Sequence, residues 1–264
     1  MQIYTKANLI KKLKKIAKGG WIANARHGNQ GGIGNTLEDL LGIEENNLPI
    51  PNAAEWELKT QRLNTQSLTT LFHFEPSPRA MRFVPQIFLL KYGWPHQEAG
   101  ERYPDNEKSF RQTIHGQNHS DRGFTVKIDK KNRKILISFN KNKVSPRHRL
   151  WLQKVEQIIG LEELNPQPYW GFDDLEHKAG TKLLNTFYVQ AQVKRENNQE
   201  YYWYKKVTLL QQFSFTNFLK GLEKGFILVD FDARTGHNHG TKFRLRQNYF
   251  PKLYSEHKVV IDLI

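Results

Sequence analysis

Glu57 and Lys59 stand two positions apart in the segment Pro51-Asn52-Ala53-Ala54-Glu55-Trp56-Glu57-Leu58-Lys59-Thr60. On a β-strand successive side chains alternate faces, so this carboxylate and this ammonium point the same way. Trp56 and Leu58 then point into the core and hold the strand rigid. A carboxylate beside an ammonium on one rigid strand can bind a divalent metal and position a water next to a phosphate. A position five residues before Glu57 is suited to a second carboxylate, and there the chain carries Asn52, which keeps a carbonyl oxygen but no charge. A Glu-x-Lys triplet also occurs as an ordinary charge pair on an exposed strand, so its meaning depends on its surroundings.

Those surroundings are unevenly charged. The chain of 264 residues carries 40 basic and 26 acidic side chains, a net charge of +14. Between His27 and Leu58 there are six acidic residues (Glu38, Asp39, Glu44, Glu45, Glu55, Glu57) and no Lys or Arg. Between Asp121 and Lys154 there are eleven Lys or Arg against two Asp. An acidic pocket that needs a cation, inside a chain with polyanion-binding surfaces, fits a protein that acts on nucleic acid. With no cysteine, disulfides and thiolate zinc sites are excluded. No apolar run approaches the roughly 20 residues of a membrane span, and Lys11, Lys12, Lys14 and Lys15 break any signal-peptide core. The expected location is cytoplasmic.

A second group of residues suits recognition. From Thr241 to Arg246, Thr241, Phe243 and Leu245 alternate with Lys242, Arg244 and Arg246, giving an apolar and a basic face. Arginine donates two hydrogen bonds to guanine O6 and N7, the commonest specific contact in the major groove. Arg234, His237 and His239 precede this strand and extend the candidate reading surface. His237 and His239 also have the spacing of a transition-metal pair, without an apparent third ligand. The basic hairpin carrying Lys130, Lys131 and Arg133, followed by Arg147, His148 and Arg149, is suited to phosphates, whose contacts position a duplex without reading it.

The elements that must position these groups follow from pattern. Thr5 followed by Leu9, Ile10, Leu13, Ile16 and Ala17 predicts an N-capped amphipathic helix with a lysine-rich outer face, stopped at Gly19-Gly20. Gly28 to Gly34 reads as a flexible loop and is no P-loop, since no Gly-Lys-Ser/Thr follows. Thr36 is expected to cap a short helix with Leu37, Leu40 and Leu41 inward and Glu38 to one side. Phe124–Asp129 with Lys134–Phe139, and Leu183–Val193 with Tyr201–Leu210, read as two hairpins. Thr216–Lys224 reads as a helix stopped by Gly225, followed by strands Phe226–Asp232 and Thr241–Arg246. The expected fold class is α/β, a mixed β-sheet with flanking helices.

Several of these segments together resemble a known family. Gly32-Ile33-Gly34-Asn35-Thr36-Leu37-Glu38-Asp39-Leu40-Leu41-Gly42, then Glu45-Asn46-Asn47-Leu48, then Glu55-Trp56-Glu57-Leu58-Lys59-Thr60, is similar to the catalytic stretch of the MvaI/BcnI restriction endonucleases. It is more distantly similar to the mismatch-repair nicking endonuclease MutH. Gly236-His237-Asn238-His239-Gly240-Thr241-Lys242-Phe243-Arg244-Leu245-Arg246 resembles the family's C-terminal His-x-x-Gly-x-x-aromatic/Leu-Arg-Ile/Leu pattern. Leu71-Phe72-His73 and Tyr169-Trp170-Gly171-Phe172 are weaker echoes.

The resemblance implies a PD-(D/E)XK core in two lobes around a DNA cleft, within one nuclease unit over 1–264. The implied catalytic lobe is approximately 1–123 and the recognition lobe 124–264. It makes Glu57 a metal ligand, Lys59 the water-activating lysine, Glu38 a helix-borne glutamate at the edge of the site, and His73 a base reader. Asn52 falls where the family has its first metal-binding aspartate. An engineered substitution, a natural inactive homologue and compensation by Glu55 are three accounts of that departure.

The implied activity is that of a type II restriction endonuclease. It would hydrolyse double-stranded DNA with Mg²⁺ at a short CC-x-GG-type site, one strand per binding event. The implied protein is a monomer, with a cognate DNA methyltransferase as a functional but not physical partner. A MutH-like nicking enzyme and a catalytically silent DNA-binding homologue are the alternatives.

Overall fold

The structure, a computed structural model, describes residues 4–25, 32–43, 56–63, 67–183 and 185–264. The chain forms two compact units, each assembled from separated stretches of sequence. The first comprises Met1–Thr69, Lys178–Phe215 and Gln247–Ile264; the second comprises Thr70–His177 and Thr216–Arg246. A division between residues 123 and 124 therefore falls inside the second unit.

In the first unit the strand Glu57–Arg62 pairs in parallel with Asn185–Glu196, which pairs antiparallel with Gln199–Phe213. Ile22–Ala23 and Tyr254–Asp262 both pair antiparallel with Gln199–Phe213, completing a mixed five-stranded sheet. The expected hairpin is present, and Asn197 and Asn198 at its tip both have positive φ (48° and 62°). That backbone matches the right-handed twist of the flanking strands. The strand begins at Asn185, whereas Leu183 closes the preceding helix Phe172–Leu183.

One sheet face carries the helices. Lys6–Lys18 is capped by the Thr5 hydroxyl, which accepts from the Asn8 amide at 3.3 Å, and it buries Leu9, Leu13 and Ala17. These join Ile33, Leu37, Leu41, Trp56, Leu58, Phe187, Val189 and Ala191 in one core. The second helix runs over Gly32–Leu41, so it starts four residues before the expected cap. Thr36 is buried inside it, with its hydroxyl accepting from the Ala25 amide and donating to Asn24 Oδ1, both at 3.3 Å. The glycines serve close packing here. A Cβ on Gly32 would lie 2.7 Å from the Tyr202 hydroxyl, and one on Gly34 would lie 3.1 Å from Thr60 Oγ1.

In the second unit a six-stranded sheet runs in the order Leu68–His73, Lys242–Arg246, Ile227–Arg234, Lys108–Ile114, Trp94–Pro95, with His237–Asn238 also paired to Ile227–Arg234. A three-stranded sheet joins Arg122–Asp129, Lys134–Val144 and Tyr169–Gly171. The basic hairpin turns through Lys130–Arg133, where Asp129 accepts from the Asn132 amide at 3.0 Å and its side chain at 2.7 Å. Phe88, Phe110, Phe124 and Phe231 pack ring on ring, with centroids 5.0 to 6.0 Å apart. The helix expected near Thr216 runs over Phe215–Glu223. Among the described residues no helix is long and apolar enough to cross a membrane.

Candidate active site

Strand alternation decides which groups of the first unit meet. Trp56 and Leu58 face the helices, and Trp56 packs edge-on against Phe187 at 4.8 Å. Glu57, Lys59 and Gln61 therefore share the opposite face. Lys59 Nζ lies 2.7 Å from Glu57 Oε1, with the lysine side chain 20% exposed and the glutamate 5%. The other carboxylate oxygen, Glu57 Oε2, is buried and has no hydrogen-bond partner among the described residues. A buried anionic oxygen left unmade is costly, unless a cation or a donor from a ligand completes it.

The parallel register places Thr186 beside Glu57 and Tyr188 beside Lys59. The Thr186 and Tyr254 hydroxyls share a hydrogen bond of 2.8 Å. Burial pushes the Tyr254 phenol up, the Thr186 bond lowers it, and the Glu57 charge pushes it further up, so it stays a neutral hydroxyl beside the carboxylate. The Tyr188 hydroxyl donates to Gln61 Oε1, whose amide donates to Thr69 Oγ1 at 2.9 Å. Thr186, Tyr188 and Tyr254 come from segments remote in sequence, and no local pattern marks them as neighbours of Glu57. Glu38 is half-buried on the helix Gly32–Leu41, which packs on the sheet face of Trp56 and Leu58.

For a divalent cation, Glu57 fits as an oxygen ligand through the partnerless Oε2. Among the described residues no cluster of three or more His, Asp or Glu is close enough to hold a metal. Asn52 and Glu55 lie outside the described residues.

In the second unit the stretch Thr241 to Arg246 has the expected two faces: Thr241, Phe243 and Leu245 are fully buried, while Lys242, Arg244 and Arg246 emerge. The basic face is braced by carboxylates on the neighbouring strand. Arg244 Nη1 bonds Asp230 Oδ2 at 3.2 Å, and Lys242 Nζ lies 3.5 Å from Asp232 Oδ2. Thr113 donates to the other oxygen of Asp230 at 2.8 Å. Arg246 Nε donates to the Gly225 carbonyl at 3.4 Å. Asp230 and Asp232 alternate with Val229 and Phe231 on one strand, a signal present in the sequence that the expectations above left unused.

Arg234 is held between the Tyr103 ring, 4.7 Å away, and Glu107 Oε1, 3.3 Å away. His237 and His239 are exposed and pack edge to face at 4.3 Å. Glu75 fixes the turn that follows them, accepting from the Thr241 amide and hydroxyl at 2.8 Å each. A side chain at Gly240 (φ 78°) would come within 3.4 Å of both Glu75 and the His73 ring. The fold thus brings His73 to the strand that carries Arg244, and Glu75 is the positioning carboxylate that sequence reasoning passed over.

The basic hairpin is more balanced than its local sequence indicates. Lys127 pairs with Glu163 at 3.4 Å, Lys130 with Glu223 at 3.1 Å and Lys141 with Glu162 at 3.8 Å, and Arg133 pairs with Asp173 and Arg147 with Asp121. Lys131 is exposed. Exposed pairs of this kind contribute only about 0–1 kcal/mol each, so the carboxylates hold these cations weakly.

Comparison with known proteins agrees with this geometry. No curated protein sequence matches the chain. Among solved structures, restriction endonuclease MvaI in complex with its cognate DNA substrate is similar at a TM-score of 0.75 and 26% identity, covering 98% of this chain and 100% of that one. Restriction endonuclease MvaI in the absence of DNA is similar at a TM-score of 0.56 and 26% identity, covering 99% and 100%. The sequence model of the MvaI/BcnI restriction endonuclease family matches residues 10–254. With a Glu57–Lys59 pair on a mixed sheet and a braced arginine strand in the second unit, the chain belongs to the MvaI/BcnI restriction endonuclease family and is by that membership a site-specific deoxyribonuclease.

Proposed function

We propose that the protein is a type II restriction endonuclease that hydrolyses one phosphodiester of double-stranded DNA per binding event at a short CC-x-GG-type site, with Mg²⁺. The observation that carries this reading is the Glu57–Lys59 pair, closed at 2.7 Å, with the second, buried carboxylate oxygen without a partner among the described residues. Glu57 and position 52 would hold the cation, whose chemistry when bound is to neutralise phosphate charge and make water more acidic. Lys59 keeps donor hydrogens beyond the one directed at Glu57, and with them it orients the attacking water at the phosphorus. Water oxygen bonds to phosphorus, the P–O3′ bond breaks, and a proton from water ends on the 3′ oxygen. The products are a 5′-phosphate and a 3′-hydroxyl.

Recognition is assigned to Arg244, Arg246, Lys242, Arg234, His73, His237 and His239, with Lys130, Lys131 and Arg133 on phosphates. Asp230 and Thr113 favour this assignment for Arg244 because they fix the guanidinium plane before any base arrives. We further take the enzyme to act as a monomer in the cytoplasm, alongside a cognate methyltransferase that protects host DNA. Asn52 favours a second reading, a silent DNA-binding homologue, because an amide offers the cation less charge than a carboxylate.

The deciding experiment is plasmid digestion with Mg²⁺ by the protein and by Asn52→Asp, with the ends mapped. Defined double-strand ends, enhanced strongly by Asn52→Asp, support the restriction reading. Nicks alone would indicate a MutH-like enzyme, and no cutting by either protein a silent binder.

A further inference from the structure

Four cations of the basic hairpin, Lys127, Lys130, Arg133 and Lys141, have carboxylate partners, but the N-terminal helix is different. Lys6–Lys18 contains six lysines and no acidic residue. Lys6 is engaged with Gln211 Oε1 at 3.3 Å and lies over the Trp56 ring at 5.1 Å. Lys11, Lys12, Lys14, Lys15 and Lys18 are exposed, and among the described residues none of them forms an ion pair. Lys11, Lys14, Lys15 and Lys18, with Ala7 and Ile10, line one shallow groove. Lys11 with Lys15 and Lys14 with Lys18 are like-charged neighbours at i,i+4, an arrangement that destabilises a helix. The helix packs on the sheet through Leu9, Leu13 and Ala17, on the face of Trp56 and Leu58. Its lysine groove therefore lies on the far side of the sheet from the Glu57–Lys59 face.

We infer that this lysine groove is a second, sequence-independent binding surface for the DNA backbone, holding a stretch of duplex other than the one at Glu57. Self-repelling cations with no carboxylate partner among the described residues suit a dense polyanion. The four lysines span about 10 Å of helix, the rise of seven residues. One DNA strand presents a phosphate about every 3.4 Å of axis, so about three phosphates face the groove. An anionic membrane fits less well, because a helix lying on lipid turns an aromatic or leucine-rich face outward. Here Leu9 and Leu13 are buried against the sheet. A surface of this kind keeps the enzyme on DNA between sites. The inference rests on the nuclease reading only for the identity of the polyanion.

The test replaces all four lysines (K11Q/K14Q/K15Q/K18Q) and measures binding to a random-sequence duplex in EDTA across about 50–200 mM salt. Losing three phosphate contacts makes the slope of log K against log salt shallower by about 2–3 and lowers low-salt affinity about tenfold or more. The matching Lys→Arg variant retains the slope. An unchanged slope in the Gln variant, or loss of binding in the Arg variant as well, overturns the inference. So does a Gln variant that loses binding to phosphatidylserine vesicles but not to DNA. Because no cleavage is needed, failure of the nuclease reading leaves this measurement interpretable. Cutting of a short cognate duplex equally by the wild-type and Gln proteins would show that the helix serves DNA outside the site.

Discussion

Replacing the Glu57–Lys59 ion pair in two steps gives opposite signs at each step. Glu57 is 5% exposed and Lys59 20%, so the pair sits largely out of water. In Lys59→Met the lysine nitrogen, 2.7 Å from Oε1, is removed while Oε2 has no partner among the described residues, which strands a buried carboxylate. Breaking one side of a buried pair costs about 3–5 kcal/mol, and the partial exposure of Lys59 places this case near 3. In the double variant Glu57→Leu/Lys59→Met the stranded charge is gone, and Leu58, Trp56 and Phe187 on the other face are untouched.

Replacing a whole buried pair by apolar residues is commonly neutral or stabilising by about 1–4 kcal/mol. Urea unfolding followed by tryptophan fluorescence therefore shows the single variant less stable than wild type and the double variant at least as stable, with both inactive on DNA. At a denaturant slope of about 3 kcal/mol per molar urea, the single variant's midpoint falls by about 1 M. Equal midpoints for wild type and Lys59→Met, or a double variant as weak as the single, would refute the claim that the two charges are buried and interdependent.

Arg244→Lys keeps the charge but loses the forked donor that Asp230 aligns. Discrimination between cognate and single-mismatch sites is expected to drop by about 1–3 kcal/mol, read from the ratio of cleavage or binding constants. Glu75→Ala strands the buried Thr241 amide and hydroxyl and is expected to cost about 2–3 kcal/mol in unfolding experiments while loosening site preference. Glu163 predicts an acid-sensitive hairpin. Burial pushes its carboxyl up, but hydrogen bonds from Ser138, the Phe139 and Leu164 amides and the charge of Lys127 outweigh this and hold it below its ordinary value of 4.5. A depressed folded value means the contribution is complete above about that pH and is lost as pH falls through the folded value. Thermal unfolding of Glu163→Gln should therefore vary less with pH below the ordinary carboxylate range than that of wild type; parallel curves would remove Glu163 from the explanation.

Periodicity carried much of the architecture. The face shared by Glu57 and Lys59, the alternation from Thr241 to Arg246, both hairpins and the Thr5-capped helix follow from two- and 3.6-residue repeats that act locally. The start of the second helix did not, because Gly32 and Gly34 look like breakers until Tyr202, Asn24 and Thr60 are seen against them. The hairpin's charge balance was hidden for a similar reason, since Glu162, Glu163, Asp173 and Glu223 arrive from other elements. Of the candidate site, Glu57 and Lys59 were legible as a pair on one strand. Thr186 and Tyr254 were not, because one arrives on a parallel neighbour and the other on a strand two further across the sheet, both remote in sequence. The residues that brace Arg244 and Thr241 were in plain view as acids, but only the register reveals what they hold.

The parallel pairing of Glu57–Arg62 with Asn185–Glu196 also has a meaning in time. The strand that carries Glu57 and Lys59 is made early in synthesis, while its hydrogen-bonding neighbour follows only after the whole of Thr70–His177 has been made. Tyr254, whose hydroxyl shares a hydrogen bond with Thr186 beside Glu57, comes later still. Non-local pairings of this kind form late, after the intervening chain has been made. A nascent or truncated chain thus carries Glu57 and Lys59 without the framework that turns them into a centre. Until synthesis has passed Tyr254, the frame of strands around Glu57 and Lys59 is incomplete.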